Sequence, residues 1–289
     1  MKPTLKTYYA LTKPGIIYGN DVMAIGAFFL AARGHSTIVL FLAMIAGISF
    51  VIGSACVFNN YLDRDIDAKM QRTKDRAMAT HAISTSDNLI FGTLIGLLGL
   101  LLLYFGTNPL TALIAFFGFF MYVAVYTPVK RLSVHGTLVG SISGAVPPVV
   151  GYCAVTGKLD LEAFILFVIL VFWQMPHFYA IAMYRLRDYT EAGIPVLPAV
   201  SGMHATKIQI VGYIMGLVIA VSSLTFFGFA GYAYLTIAIA VCLAWLYKGL
   251  AGFTEKDIND AAWARSMFFF SLVVIMALCG AMSLNHFLF

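Results

Sequence analysis

Charge is what this sequence has least of. Only 11% of its 289 residues are Asp, Glu, Lys or Arg, against 61% hydrophobic, where an ordinary soluble domain carries about 25% charged residues. So few charges cannot solvate a water-facing surface, which excludes a soluble globular domain and makes lipid the expected solvent. Cysteine is sparse as well. Cys56, Cys153, Cys242 and Cys279 lie far apart in apolar stretches with no C-x-x-C pair among them. That spacing excludes a disulfide framework and a zinc ribbon, leaving the four as small core residues. The formal net charge is +5, but where the charge sits matters more than its total, and nucleic acid is not an expected partner.

What the chain has in abundance is apolar length. About 20 consecutive apolar residues span a bilayer core, and such runs recur near 15–32, 39–60, 88–106, 110–127, 136–155, 162–182, 206–227, 230–248 and 266–287. The expected fold is all-α: a polytopic membrane bundle of nine transmembrane helices, forming one domain over residues 1–289. The run at 110–127 is short, and Pro147 and Pro148 interrupt 136–155. Lys2, Lys6 and Lys13 before the first run resemble the start of a signal peptide, but the apolar part is long and the segment is expected to be retained.

Orientation follows from the 18 basic residues. With the N-terminus in the cytoplasm, the inner segments 2–13, 64–76, 130–131, 185–207 and 248–265 hold all of them except Arg33 and Lys158. Basic residues near span ends stay on the cytoplasmic side, so this asymmetry predicts both the topology and the number of spans. Two inner loops, about 64–87 and 183–205, are long and carry six of the 13 acidic residues. Function is expected there.

The second span ends in Asn59-Asn60-Tyr61-Leu62-Asp63-Arg64-Asp65-Ile66-Asp67. Asn59, Asp63 and Asp67 recur every four residues, so on a helix they form one stripe with steps of about 6 Å along the axis. Stacked carboxylates repel unless a cation joins them. Mg²⁺ takes oxygen ligands, usually one or two carboxylates plus substrate phosphates, so the stripe points to a magnesium-bound diphosphate. Arg72 and Lys74, in the basic tail that follows, are expected to neutralise charge on the leaving group. The bland alternative is a charged helix end at the membrane surface. Asp65 points to the other face, either structural or serving a second metal.

The sixth span runs into Trp173-Gln174-Met175-Pro176-His177 and then Tyr184-Arg185-Leu186-Arg187-Asp188-Tyr189. If the helix continues past Pro176, His177, Tyr184 and Asp188 share a face. His177 has two readings: orienting or ligating a tetrapyrrole or shuttling a proton, or a satisfied polar residue at the bend. Trp173 and Gln174 are expected to pack and cap the kink. Tyr61-x-x-Arg64-Asp65 echoes Tyr184-x-x-Arg187-Asp188, a weak sign of internal duplication. Asp21, a turn inside the first span, is either functional or reaches the interface. Gly136, Gly140 and Gly144 give the fifth span a small face for close helix packing.

These segments together resemble the intramembrane aromatic prenyltransferases over nearly the whole chain. The likeness is carried by Thr12-Lys13-Pro14-Gly15-Ile16, Asn59 through Lys74, His135-Gly136-Thr137, Gly151-Tyr152-Cys153-Ala154-Val155-Thr156-Gly157, Trp173 through His177, and Asp188-Tyr189 with Gly193-Ile194-Pro195-Val196-Leu197-Pro198. The Trp173–His177 and Gly193–Pro198 segments resemble the heme-modifying branch in particular. The resemblance implies a central cavity capped by the two inner loops, farnesyl diphosphate and heme B as substrates, Mg²⁺ as cofactor, and a hydroxyethylfarnesyl heme (heme O) as product. It implies Asn59, Asp63 and Asp67 as ligands of the metal–diphosphate, with Asp188 the candidate for a second metal. His177 and Tyr184 would join these in catalysis, and Lys13, Arg72, Lys74 and Arg187 would bind the diphosphate. It further implies a bacterial inner membrane location with the site facing the cytoplasm, and heme A synthase or terminal-oxidase assembly as partners. The paired D-x-x-x-D of many relatives is reduced here to Asp188, with Glu191 three residues on. Prenylation of an aromatic quinone precursor stays open, as does a secondary transporter, although transporter sites sit near the midplane. A non-catalytic assembly factor would not need the metal stripe.

Overall fold

A computed structural model describes residues 4–254 and 259–288; Lys2 and Lys256, both part of the charge asymmetry, lie outside the described residues. Among the described residues nine helices are long and apolar enough to cross a membrane. They are α1 Pro14–Ala32, α2 Ile38–Leu62, α3 Thr85–Gly106, α4 Pro109–Leu132, α5 Gly136–Thr156, α6 Leu161–Tyr184, α7 Leu197–Phe226, α8 Tyr232–Ala251 and α9 Asp260–Phe287. Large apolar side chains such as Leu94, Phe105, Leu113, Ile219 and Met276 are exposed on their outer faces, which suits a lipid surround. Backbone hydrogen bonds stay within each helix, as a bilayer core requires.

Side-chain oxygens cap several helix starts. Thr37, Ser84, Asn108 and Asp160 accept from the backbone N–H groups of Leu40, Asp87, Thr111 and Ala163, opening α2, α3, α4 and α6, which satisfies donors the helix leaves free. Pro opens α1 and α4, where its missing N–H costs nothing.

Three spans depart from simple apolar runs. α4 extends past residue 127 to Leu132 through one π-helical turn at Met121–Tyr126. α5 is two helices, Gly136–Gly144 and Val146–Thr156, broken at Ala145, because Pro147 and Pro148 cannot donate to the turn before them. α7 begins well before residue 206, at Leu197, and bends where Gly202 adopts φ 83°. Much of the inner stretch 183–205 is therefore helical, including a separate turn at Leu186–Glu191.

α1 packs against α2, α5 and α9. At Gly151 of α5 a β-carbon would come within 2.1 Å of the Ala24 carbonyl oxygen of α1. The polar site lies where α2 ends, at Asp63.

Candidate active site

α2 ends at Leu62, and Asp63 is its C-cap, with φ −95° and ψ 3°. One further turn, Arg64–Asp67, follows. The Asp63 N–H donates to the Asn59 carbonyl at 2.9 Å and the Asp67 N–H to the Asp63 carbonyl at 2.8 Å. The four-residue register thus survives the break, and Asn59, Asp63 and Asp67 keep one face. They are 2%, 3% and 4% exposed. The stripe aims into the protein, away from lipid and bulk water.

Cationic side chains meet it there. Lys13 Nζ donates to Asn59 Oδ1 at 2.6 Å, and Asn59 Nδ2 donates to Asp63 Oδ2 at 2.8 Å and to Thr127 Oγ1 at 3.0 Å. Lys130 also donates to Asp63 Oδ2, and Arg131 lies 3.3 Å from Asp63 Oδ1. Arg76 Nη1 donates to both oxygens of Asp67, at 2.9 and 2.8 Å. Asp65, with a side chain 59% exposed, takes two bonds of 2.8 Å from Arg131, and this pairing holds its carboxyl below the usual range.

Local backbone features aim these groups. Lys13 sits in the left-handed region, φ 51° and ψ 66°, immediately before Pro14 opens α1. A non-glycine residue held there is strained by order 1–3 kcal/mol. Asn60 Nδ2 secures the preceding chain by donating to the Leu11 carbonyl at 2.7 Å. On α4 the π-turn sits beside the site, and Thr127 Oγ1 closes it by donating to the Tyr122 carbonyl at 2.8 Å. Such single-turn bulges often mark functional positions. Tyr126 lies under the Lys130 ammonium, 5.4 Å from nitrogen to ring centre.

The two inner loops meet over the stripe. Ile66 and Met70 of the first pack with Tyr189, Ala192 and Ile194 of the second. Burial raises the Tyr189 phenol above its usual value, while nearby Arg72 and Lys130 pull it down.

The remaining expected residues are spread more widely. Arg72 and Lys74 are exposed and pair with neither stripe carboxylate; Arg76, later in the same basic tail, does. Arg187 is turned outward, its side chain 91% exposed, and pairs with Glu191 at 2.7 Å. Asp188 belongs to the separate Leu186–Glu191 turn, 3.9 Å from Arg185, so it does not continue the α6 face. His177 and Tyr184 do share a face: both rings lie against Phe268 of α9, at 5.0 and 5.7 Å. Trp173 and Gln174 stitch rather than merely pack. Trp173 Nε1 donates to the Ser271 carbonyl of α9 at 2.9 Å, and Gln174 Nε2 to the Ser141 carbonyl of α5 at 3.2 Å. Asp21 accepts from Ser49 of α2 at 2.8 Å, and its other oxygen is buried without a partner.

Lys130, Arg131 and Thr127 join the site without any local signal in the sequence, and Tyr189 stood there only within a segment that carries the resemblance. Lys130 and Arg131 read there only as an inner-side basic pair.

The donor set suits magnesium. Two carboxylates and an amide oxygen are the hard ligands it prefers, but among the described residues no three His, Cys, Asp or Glu side chains converge. The protein alone does not complete a metal shell, which fits an ion bound partly through substrate phosphates. Lys13, Arg76, Lys130 and Arg131 outnumber Asp63, Asp65 and Asp67. The surplus positive charge calls for an anion.

A buried oxygen stripe ringed by bases, at one end of an apolar bundle with nine membrane-length helices among the described residues, defines a polytopic membrane protein with an enclosed polar site. The model of the UbiA prenyltransferase family matches residues 22–273, and the chain belongs to that family. Curated relatives named protoheme IX farnesyltransferase include one from Serratia proteamaculans, 50% identical over 282 residues, covering 97% of this chain and 95% of the relative. A protoheme IX farnesyltransferase 2 from Chromobacterium violaceum is 51% identical over 281 residues, covering 97% and 93%. Among solved structures, a digeranylgeranylglyceryl phosphate synthase superposes with a TM-score of 0.79 at 18% identity, covering 96% of this chain and 98% of that one. A UbiA homolog from Archaeoglobus fulgidus bound to GPP and Mg²⁺ gives 0.68 at 13% identity, covering 96% and 99%. These two share the fold.

Proposed function

We propose that this protein transfers the farnesyl group of farnesyl diphosphate to a vinyl group of heme B, with addition of water, giving heme O. The observation that carries the reading is the buried Asn59–Asp63–Asp67 stripe with Lys13, Arg76 and Lys130 facing it. The near-50% identity to protoheme IX farnesyltransferases supports the choice of substrates.

Asn59, Asp63 and Asp67 would hold Mg²⁺ on the diphosphate, where the ion polarises the bond to the leaving group. Lys13, Arg76 and Lys130 take up negative charge as the allylic C–O bond breaks and the diphosphate departs. The apolar walls of the bundle and the clasped loops keep water from the allylic cation until a vinyl carbon attacks it. Water then adds to the cation left on the vinyl group and loses a proton, forming the hydroxyl. His177 and Tyr184, together on the α6 face against Phe268, are the polar groups assigned to the porphyrin side. The charge asymmetry supports an inner-membrane orientation with the N-terminus and the site in the cytoplasm.

The test is direct. Purified protein in detergent is given heme B, farnesyl diphosphate and Mg²⁺, and the extracted hemes are weighed by mass spectrometry. A magnesium-dependent gain of one farnesyl group plus one hydroxyl is expected. Asp63→Asn, which keeps side-chain shape, should lower that rate by roughly 10²–10³ with a native elution profile. Full activity in that variant would falsify the assignment of the stripe.

A further inference from the structure

Each of the three oxygen-bearing side chains expected to face metal already accepts from its own cation. Lys13 holds Asn59 Oδ1 at 2.6 Å, Lys130 holds Asp63 Oδ2, and Arg76 holds both oxygens of Asp67. The three cations come from separate places: the joint before α1, the last turns of α4, and the first inner loop. We propose that Lys13, Arg76 and Lys130 are place-holders that close the metal site of the ligand-free protein, so that a divalent cation enters only together with a diphosphate.

The argument is electrostatic. Asp63 and Asp67 are buried, and a buried charge without a partner is costly. In the absence of ligand the cations supply that partner. A bare divalent ion arriving at Asp63 would have to displace Lys130, whose side chain is itself only 17% exposed, and would strand an ammonium beside a dication. A metal–diphosphate removes that conflict, because each displaced cation acquires a phosphate oxygen as the metal takes the carboxylate. Metal and diphosphate therefore bind with positive coupling, and the coupling is reciprocal. Lys130 and Arg76 end in flexible side chains, so the exchange needs rotamer changes and no movement of helices.

The inference rests on the stripe being a metal–diphosphate site, and the experiment separates the two. Full-length protein in detergent is dialysed to equilibrium against Mn²⁺, with and without inorganic diphosphate, and bound manganese is counted. The wild type is expected to retain Mn²⁺ about tenfold or more tightly with diphosphate than without it. Lys130→Met, which removes the charge and keeps the aliphatic stem, should bind Mn²⁺ alone about tenfold more tightly than the wild type. Arg76→Gln should shift in the same direction and decides the matter if Lys130→Met does not elute as folded protein. Equal binding of Mn²⁺ by the wild type with and without diphosphate overturns the place-holder role and leaves the metal–diphosphate site standing. Tight binding confined to the diphosphate samples, but unchanged in both variants, also overturns it. If no sample retains Mn²⁺ even with diphosphate, the underlying site assignment fails and the inference with it.

Discussion

The Nδ1 nitrogen of His177 on α6 lies 2.7 Å from the Ser271 hydroxyl on α9. That hydroxyl is also 2.5 Å from the Phe268 carbonyl, which can only accept; with its proton committed there, Nδ1 is the donor and Nε2 keeps the lone pair. Ser271→Ala leaves a buried ring N–H unpaired and is expected to destabilise the protein by about 1–3 kcal/mol. Adding His177→Phe to it, which removes the orphaned donor and keeps an aromatic ring in place, should recover most of that loss. Thermal denaturation in detergent reads both. If the imidazole also serves the porphyrin, the double variant stays stable yet loses heme-product formation; retained turnover would make His177 a helix pin only.

Two glycines on α5 should differ in what they tolerate. A β-carbon on Gly151 would lie 2.1 Å from a backbone oxygen of α1, which cannot retreat without moving the helix. One on Gly144 would lie 2.0 Å from Gln174 Oε1, the tip of a side chain that can rotate. Gly151→Ala is expected to prevent assembly of a folded, monodisperse protein. Gly144→Ala should cost about 1–3 kcal/mol and weaken the α5–α6 stitch. Size-exclusion profiles and melting midpoints of the two variants decide it, and equal damage would refute the distinction.

Burial, then repulsion from Arg76, pulls Lys13 down to about 8 from the ordinary lysine value of 10.5, with Asp67 and Cys56 opposing and Lys130 adding to the fall. The charged form is therefore lost as pH rises through about 8. For the unliganded enzyme, kcat/KM for the diphosphate substrate should drop along that limb. Lys13→Arg, always protonated, should flatten it. Stability moves the other way. The unfolded chain binds more protons than the folded one between 8 and 10.5, so this residue's contribution to stability grows across that window. A pH–rate profile alongside a pH–melting profile separates the two effects.

Arg187 and Arg76 make a contrasting pair. Arg187 is exposed and bonded to Glu191, and such exposed pairs contribute about 0–1 kcal/mol. Arg187→Ala should leave KM for the diphosphate substrate within roughly fivefold. Arg76→Gln, which frees buried Asp67 of its partner, should raise it by tenfold or more, a change of about 1.4 kcal/mol. Similar effects in the two variants would mean that the diphosphate lies nearer the second loop than Asp67.

Nine spans were legible in the sequence because a bilayer asks only for local properties: enough apolar residues in a row, and backbone hydrogen bonds satisfied inside each segment. The Asn59–Asp63–Asp67 stripe was legible for the same reason, since a four-residue repeat on a helix end needs no knowledge of other helices. The partners of that stripe are another matter. Lys130 reaches Asp63 across 67 positions and Lys13 reaches Asn59 across 46, while Arg76 rather than Arg72 or Lys74 turns inward from a loop that has no period to read. Helix packing decided those pairings: α1, α2 and α4 bring together side chains whose charges must neutralise one another once water is excluded.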